Sequence, residues 1–536
     1  MFDRGKKNGL AWMLLLTLPM AGGAAAATAD APLADAAKKQ DQKTIQSLVS
    51  QHADVNSRSD DGSTALLWAA HWNDAATADL LLRAGADANA ANDFGMTPLS
   101  QACVNGSAAL VELLLKSGAN PNTAIATGET PLMTCARSGK VDAVRTLIAH
   151  DAAVNAKEPA QNQTALMWAA AEHHPAVVKA LIEANADLKA HTKQGYTALH
   201  FAAREGDQEC VKVLLAAGVD VNIRTQPDDS GTKRNEEKLV AGRGRTAGLG
   251  GNYYRKNPST AGYTPLLVAT VRAQVALALF LLDQGADPNI LDAGFTPLHW
   301  AATDWESYAA NPVYGFEDPM GGIPDRQAKL RLVKALLAHG ANPNARMTTT
   351  QPTFAGGYMD AIGATPFLLA SSVDDVETMR ILLAAGADPK VPTASNATAI
   401  MAATALYHGV GESAVTEAQA REAVKFLLDL GLDPKGVTIF GENALFGPAY
   451  RGWNVLLAQL IDLGVDVNAV SKAGVTPWLA ASGQGDRLGG VLFNKEGADL
   501  LLKRGADPKL GHPCEAQNEC GEFDREGHDD APNARK

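Results

Sequence analysis

Short apolar stripes recur along this chain at nearly even spacing. Each is introduced by Thr or Asn, and polar turns separate them. They read Thr64-Ala-Leu-Leu-Trp-Ala-Ala70, Thr97-Pro-Leu99, Thr130-Pro-Leu132, Thr164-Ala-Leu166, Thr197-Ala-Leu-His200, Thr264-Pro-Leu266, Thr296-Pro-Leu-His299, Thr365-Pro-Phe367, Thr398-Ala-Ile400, Asn443-Ala-Leu445 and Thr476-Pro-Trp478. The first five begin 33, 33, 34 and 33 residues apart. Leu followed by paired Ala makes one apolar face of a short helix. The Thr or Asn oxygen suits the helix N-cap, and Pro suits the first helical position, where its missing N–H costs nothing. A second apolar run follows each stripe, as at 74–83 and 108–116, and predicts a second helix.

The second helix ends in a recurring phrase, as in Leu81-Leu82-Arg83-Ala84-Gly85-Ala86-Asp87-Ala88-Asn89. Gly85 and its equivalents at 118, 218, 285, 340, 386, 431, 464 and 505 suit a left-handed cap. His52, Asp151 and Asn185 replace Gly in that register, and these residue types are enriched at positive φ. Asp-x-Asn then favours a tight turn through bonds to its own backbone. A period near 33 built from these words resembles the ankyrin repeat. The resemblance implies an all-α solenoid of about twelve helix-turn-helix units with hairpin fingers. It further implies protein binding through the fingers and the concave groove of the first helices. It assigns His200 and His299, fourth in their words, a structural hydrogen-bonding role.

The segment 30–57 carries the tail phrase His52-Ala-Asp-Val-Asn56 without a starting word. Ile45, Leu48 and Val49 keep helical spacing there. It is read as the N-terminal capping unit that a solenoid needs to cover its open end. Residues 1–29 have the layout of a secretory signal: Arg4, Lys6 and Lys7, an apolar run over 10–20, and Ala27-Thr28-Ala29 before Asp30. Cleavage after Ala29 would take the formal charge from −12 to about −14. An acidic chain without a basic stripe along its repeats argues against nucleic acid as a partner. Once the signal is removed, no membrane insertion is expected, and a monomer in the periplasm or outside the cell is.

The departures from the period individualise the chain. Regular repeats span 58–223. About 34 extra residues lie in one finger, 224–263, and about 13 in a second, 345–364. Repeats with insertions run over 264–510, with extra segments between first and second helices near 303–327, 408–419 and 483–494, and a polar tail occupies 511–536. Insertions in repeat proteins map to loops and often to the binding face. The first finger carries eight cations against Asp228, Asp229, Glu236 and Glu237, a net +4. Both fingers combine Gly with aromatic residues, which are enriched at binding hot spots. The partner-binding candidates are therefore Arg243, Arg245, Tyr253, Tyr254, Arg255 and Lys256 of the first finger, with Phe354, Tyr358 and Met359 of the second. Trp305, Tyr308, Tyr314 and Phe316 of the 303–327 insertion read as pins of their own loop.

Catalytic chemistry finds little support. There is no His-x-x-x-His, Cys-x-x-Cys or Gly-x-Ser-x-Gly, and Gly248-Leu-Gly-Gly251 lacks the Lys-Ser/Thr of a phosphate loop. Asp374 and Asp375 read as acids at a helix start. Cys103, Cys135 and Cys210 replace small residues in helical words and read as buried thiols. Cys514 and Cys520 sit close together in the tail and read as a disulfide. No cofactor and no metal site is expected. The reading is an exported scaffold that binds protein, not an enzyme. An accessory subunit of an exported, redox-type enzyme and a secreted effector are the alternatives.

Overall fold

The computed structural model describes residues 31–226, 261–303, 323, 325–349, 362–406, 415–483 and 493–511. Twenty-four helices and no strand occur among the described residues. They fall into twelve pairs, each a first (inner) helix and a second (outer) helix. The first body, 1–126, holds three pairs: Pro32–Lys38 with Gln42–Ser50, Ala65–His71 with Ala75–Arg83, and Pro98–Asn105 with Ala108–Lys116. The second body, 127–536, holds the other nine, from Pro131–Ser138 to Lys495–Lys503.

The caps form as the residue types dictate. Thr64 Oγ1 accepts from the Leu67 amide, Thr97 from Ser100, Thr264 from Leu267 and Thr476 from Leu479. Most second helices take acid, hydroxyl or amide caps, such as Asp74, Ser107, Asp207 and Asn494, whereas Val141–Ala149, Pro175–Glu183, Val275–Asp283 and Asn454–Asp462 have no side-chain cap. Each such cap satisfies an amide that the first helical turn leaves without a partner. Inner-helix Leu and Ala are buried, as at Leu66, Ala70, Leu199, Ala203, Leu298 and Ala301. A fully buried leucine such as Leu298 contributes roughly 2 kcal/mol of transfer free energy.

Among the described residues, three kinds of position in the unit turn left-handed. One follows the inner helix and is filled by Gln40, Asn73, His173, Ala273, Asp374 and Ala405 as well as by glycines. The second follows the outer helix. There His52, Asp151 and Asn185 have φ of 58°, 63° and 60°, alongside nine glycines. The third sits at each finger. A polar ladder runs beside the second position within each body. Asn56 Nδ2 donates to Gly85 O while Asn56 Oδ1 accepts from the Asp87 amide. Asn89, Asn155, Asn289, Asn344 and Asn468 repeat the step. Lys189, Lys390 and Lys435 stand where that Asn would be.

Four local departures matter. The eighth and tenth pairs have short inner helices, Pro297–Ala301 and Ala399–Ala403, and long outer ones, Arg326–Ala338 and Glu417–Asp429 of 13 residues each. Asn443 does not cap a helix as the other words do. Its Oδ1 accepts from Leu445, its Nδ2 donates to Asp466 O, and the helix starts only at Phe446. The displaced start brings Gly447 against the tenth pair, where an added Cβ would lie 1.9 Å from Thr404 O. Cys210 is a free buried thiol, but Cys103 and Cys135 are disulfide-bonded, which corrects the expectation of three free thiols. That expectation weighed each cysteine only within its own helix.

Candidate functional site

The inner helices of the fifth and sixth pairs, Ala165–Ala171 and Ala198–Glu205, enclose a cleft of about 300 Å³. Met167, Trp168 and Phe201 are among its apolar lining residues, and Glu172, His173, Arg204 and Glu205 among its polar ones. Arg137 lies over the Trp168 ring at 5.3 Å and Arg204 near the Phe201 ring at 4.9 Å. Arg204 also pairs with Glu205 at 2.7 Å. Trp168 Nε1 is buried with no acceptor among the described residues. At one end, His173 Nδ1 lies 3.3 Å from Asp207 Oδ2. Burial pushes the Asp207 carboxyl up, but bonds from the Cys210 side chain and amide, with the nearby His173, hold it below its usual value. Burial and the neighbouring Asp207 both push the Cys210 thiol up, which disfavours its thiolate.

The helix Ala198–Glu205 also builds the root of the enlarged finger. In an ordinary finger, the Thr192 amide donates to Tyr196 O and the Gly195 amide to Thr192 O. The same two bonds join Thr225 to Tyr263 and Gly262 to Thr225, with the extra residues spliced between. They recur in the second enlarged finger, from Met347 to Ala364 O and from Gly363 to Met347 O. Both long fingers therefore leave and re-enter the stack through a stem that keeps these two backbone bonds. Thr225 and Met347 are buried in these stems. Arg224 pairs with Asp292 at 2.6 Å, and Arg346 donates to Gly363 O and Pro392 O.

A third polar locus lies where the eighth and ninth pairs meet, within electrostatic reach of Arg451 of the eleventh. Lys329 is buried and its Nζ is 3.2 Å from the buried Asp375. Burial pushes Asp375 up, but Lys329 and Thr378 outweigh it and hold the carboxyl below its usual value. Asp375 caps its helix, as an acid at a helix start should. Asp374 does not: it occupies the left-handed turn at φ 55°. Its Oδ1 is enclosed without a hydrogen bond among the described residues. Burial raises its pKa well above normal, against the opposing charge of Arg451. Among the described residues, no group of three or more His, Cys, Asp or Glu is arranged to hold a metal ion. No described helix is long and apolar enough to cross a membrane.

The family model for ankyrin repeats in sets of three copies matches residues 33–125, 73–158, 118–192 and 157–225, and that for the single ankyrin repeat matches 261–293 and 293–348. The chain belongs to the ankyrin repeat family. No curated protein matches it. Ankyrin repeats generally mediate protein–protein interaction and are typically not enzymes. The last four helix pairs, from Pro366–Ser372 onward, lie beyond the matched residues but keep the same two-helix unit and, in three of them, the Thr cap.

Arg243, Arg245, Tyr253, Tyr254, Arg255, Lys256, Phe354, Tyr358 and Met359 lie outside the described residues, as do Cys514, Cys520 and the aromatics Trp305, Tyr308, Tyr314 and Phe316. The stems that carry the two fingers are described, and the cleft beside the first was not singled out from sequence. Its signal was present: Trp168 and Phe201 hold the same word position in adjacent ankyrin repeats.

Proposed function

We propose that this ankyrin repeat chain is an exported scaffold that binds protein through the groove at Trp168 and Phe201 together with the edge bearing its two enlarged fingers. One observation carries the reading. A single helix, Ala198–Glu205, supplies Phe201, Arg204 and Glu205 to the cleft and His200 to the root of the basic finger. A partner seated in the cleft would thus contact a helix that also roots the basic finger. Aromatic anchors supply most of the affinity in such contacts, and charges steer the approach. Export is supported by the basic, apolar and small-residue order of 1–29. The disulfide-bonded state of Cys103 and Cys135 also favours an oxidising compartment.

The test combines capture with two variants. Native partners are recovered from the compartment where the mature chain resides, and its N-terminus is sequenced. One variant replaces 227–260 by a short turn, so that Thr225 and Tyr263 stand as Thr192 and Tyr196 do. The other is Trp168→Ala. Loss of partner and of salt dependence in the first, and at least tenfold weaker binding in the second, supports the reading. Unchanged recovery by both folded variants, or a mature chain starting at Met1, rejects it.

A further inference from the structure

Exposed apolar side chains are unevenly spread along the second body. Among its described residues, Ile362 is the one large apolar side chain exposed before residue 430, whereas eight are exposed between 430 and 502. Four of the eight repeat in register. Leu430 and Leu463 close the outer helices Glu417–Asp429 and Asn454–Asp462, one residue before the left-handed Gly431 and Gly464. Val437 and Val470 lie six residues after those glycines. Each pair is 33 residues apart, so one unit presents what its neighbour presents. All four are 37–44% exposed, and Leu502 on the next outer helix is also exposed.

The other units do not fill these positions this way. The residue before the cap is otherwise Ala, Ser, Gln, His or Arg, as at Ala84, Ser117, Ala184, Ala217 and Ala385. Six residues after the cap stand Arg58, Lys157, Arg224 and Arg346, or the small Ala91 and Ala124. Leu291 and Pro392 are apolar there but have no leucine at the first position. The two rows adjoin. The Lys435 side chain, two residues before Val437, reaches the glycine that follows Leu463, its Nζ 3.1 Å from where a Cβ on Gly464 would stand. Scattered apolar residues are ordinary on a surface, but a contiguous set marks an interaction site.

The rim has a charge preference. Lys435, Lys503 and Lys509 are exposed and form no ion pair among the described residues. Lys472 is exposed with only the Phe440 ring near its Nζ, at 5.9 Å. The acids of the same edge are engaged. Asp433, Asp466 and Asp507 accept the amides of Lys435, Asn468 and Lys509, while Asp429 pairs with Lys425 and Asp462 with Arg504.

We propose that Leu430, Leu463, Val437 and Val470, rimmed by these lysines, form a docking surface separate from the cleft at Trp168, and that its partner is an acidic amphipathic helix. Neighbouring helices of a stack lie about 8–10 Å apart, and positions i and i+7 of a helix are about 10 Å apart along its axis. A helix laid along the stack therefore sets one apolar residue on each Leu–Val pair, with i+3 or i+4 between them. Its flanking carboxylates meet the unpaired lysines. An extended partner has less to bind. The Ile439 and Lys472 amides of these fingers are already bonded to Ser395 O and Phe440 O, so strand addition lacks free donors there.

The surface does not depend on the cleft, and its test uses the full chain with three labelled synthetic peptides. One is a helix with leucines at i, i+4 and i+7 and glutamates beside them. The second has the same composition scrambled, and the third carries lysine for glutamate. Fluorescence anisotropy should show the first binding at least tenfold more tightly than either control, and weakening as salt rises. Replacing Leu430, Leu463, Val437 and Val470 by Ala, the residue found at these positions in other units, should weaken it at least tenfold, with folding checked by urea melts. Lys435→Asn with Lys509→Asn, the residue the other units carry, should reduce the salt dependence, and decides the matter if the fourfold variant does not fold. Trp168→Ala should leave peptide binding unchanged. Equal binding of the three peptides, wild-type affinity in the fourfold variant, or loss in Trp168→Ala overturns the proposal. So does a dimer in sedimentation that the fourfold variant abolishes, which would make a second copy the occupant. A tenfold gain in peptide affinity on deleting 512–536 would make that tail the occupant and overturns it too.

Discussion

Lys329→Met is the sharpest probe of how the eighth and ninth pairs are joined. Lys329 keeps only 3% of its side chain exposed and Asp375 only 8%, with 3.2 Å between Nζ and Oδ2. The substitution keeps most of the side-chain volume but strands a carboxylate in the stack. Removing one partner of a buried pair typically costs about 3–5 kcal/mol. Asp375 would retain Thr378, which donates from its amide at 3.1 Å and from Oγ1 at 2.6 Å, and the exposed Arg326 at 3.4 Å. The expected cost is therefore at the low end, about 3 kcal/mol. Lys329→Met with Asp375→Asn removes both charges and keeps a capping side chain. It should be more stable than Lys329→Met alone, with a coupling of about 2 kcal/mol. Because Asp375 titrates below its usual value, its contribution is present above the unfolded pKa and is lost as pH falls. That acid-side loss should shrink in Lys329→Met. Urea unfolding followed by circular dichroism measures the cost, and hydrogen exchange over 326–338 and 376–384 localises it. A Lys329→Met protein within about 0.5 kcal/mol of wild type, or strictly additive substitutions, would refute the argument.

Two further outcomes follow from the same geometry. Asn289→Ala removes a 2.8 Å bond to Gly340 O and a 2.7 Å bond from the Asn342 amide. Both lie at an exposed edge where water can replace them, so urea melts should show a loss of about 1–2 kcal/mol. Of five cysteines, Cys103 and Cys135 are disulfide-bonded and Cys210 is free. Denaturing, non-reducing thiol labelling should therefore modify one cysteine if Cys514 and Cys520 pair with each other, and three if they do not. Labelling at Cys103 or Cys135 in protein purified from its native compartment would contradict the bonded state.

Much of this architecture was legible because each word acts locally. A Thr that caps, a Leu and Ala that bury, and a residue that tolerates positive φ each declare themselves within a few positions. His52, Asp151 and Asn185 show how far this reaches, since three departures from Gly all fall at left-handed positions. What was not legible depends on neighbours in the stack. Asp374 and Asp375 are adjacent acids with one sequence signature. Stacking makes one a cap paired to Lys329 and turns the other's carboxyl oxygen into an enclosed site near Arg451. Asn443 carries the capping signal, yet its side chain spans to Asp466 O. Trp68, Trp168 and Trp300 hold one word position. Stacking leaves the first two half-buried and seals the third, which packs on Phe295 at 5.9 Å. Only Trp168 lines the cleft.

The places where this chain breaks its own rules lie mainly in the second body, and they divide by edge. On the finger edge, the breaks are spliced insertions whose stems keep the two backbone bonds of an ordinary finger. On the turn edge, they are insertions between inner and outer helices, next to a buried Lys–Asp pair and an enclosed carboxyl. Neither kind improves the stack. A buried ion pair contributes less than the apolar contact it replaces, and a long loop weakens its own closure. Departures that cost stability are expected where function resides. A repeat selected only to stack would have kept a finger of four residues at Thr225 and Met347, as at Thr192, and an apolar residue at Lys329. The cleft at Trp168 and Phe201 runs along the inner helices toward the inner–outer turn at Glu172 and His173, while His200 of Ala198–Glu205 stands at the root of the basic finger, so one helix joins the two features. That shared helix is why binding is assigned to the groove and the finger edge together.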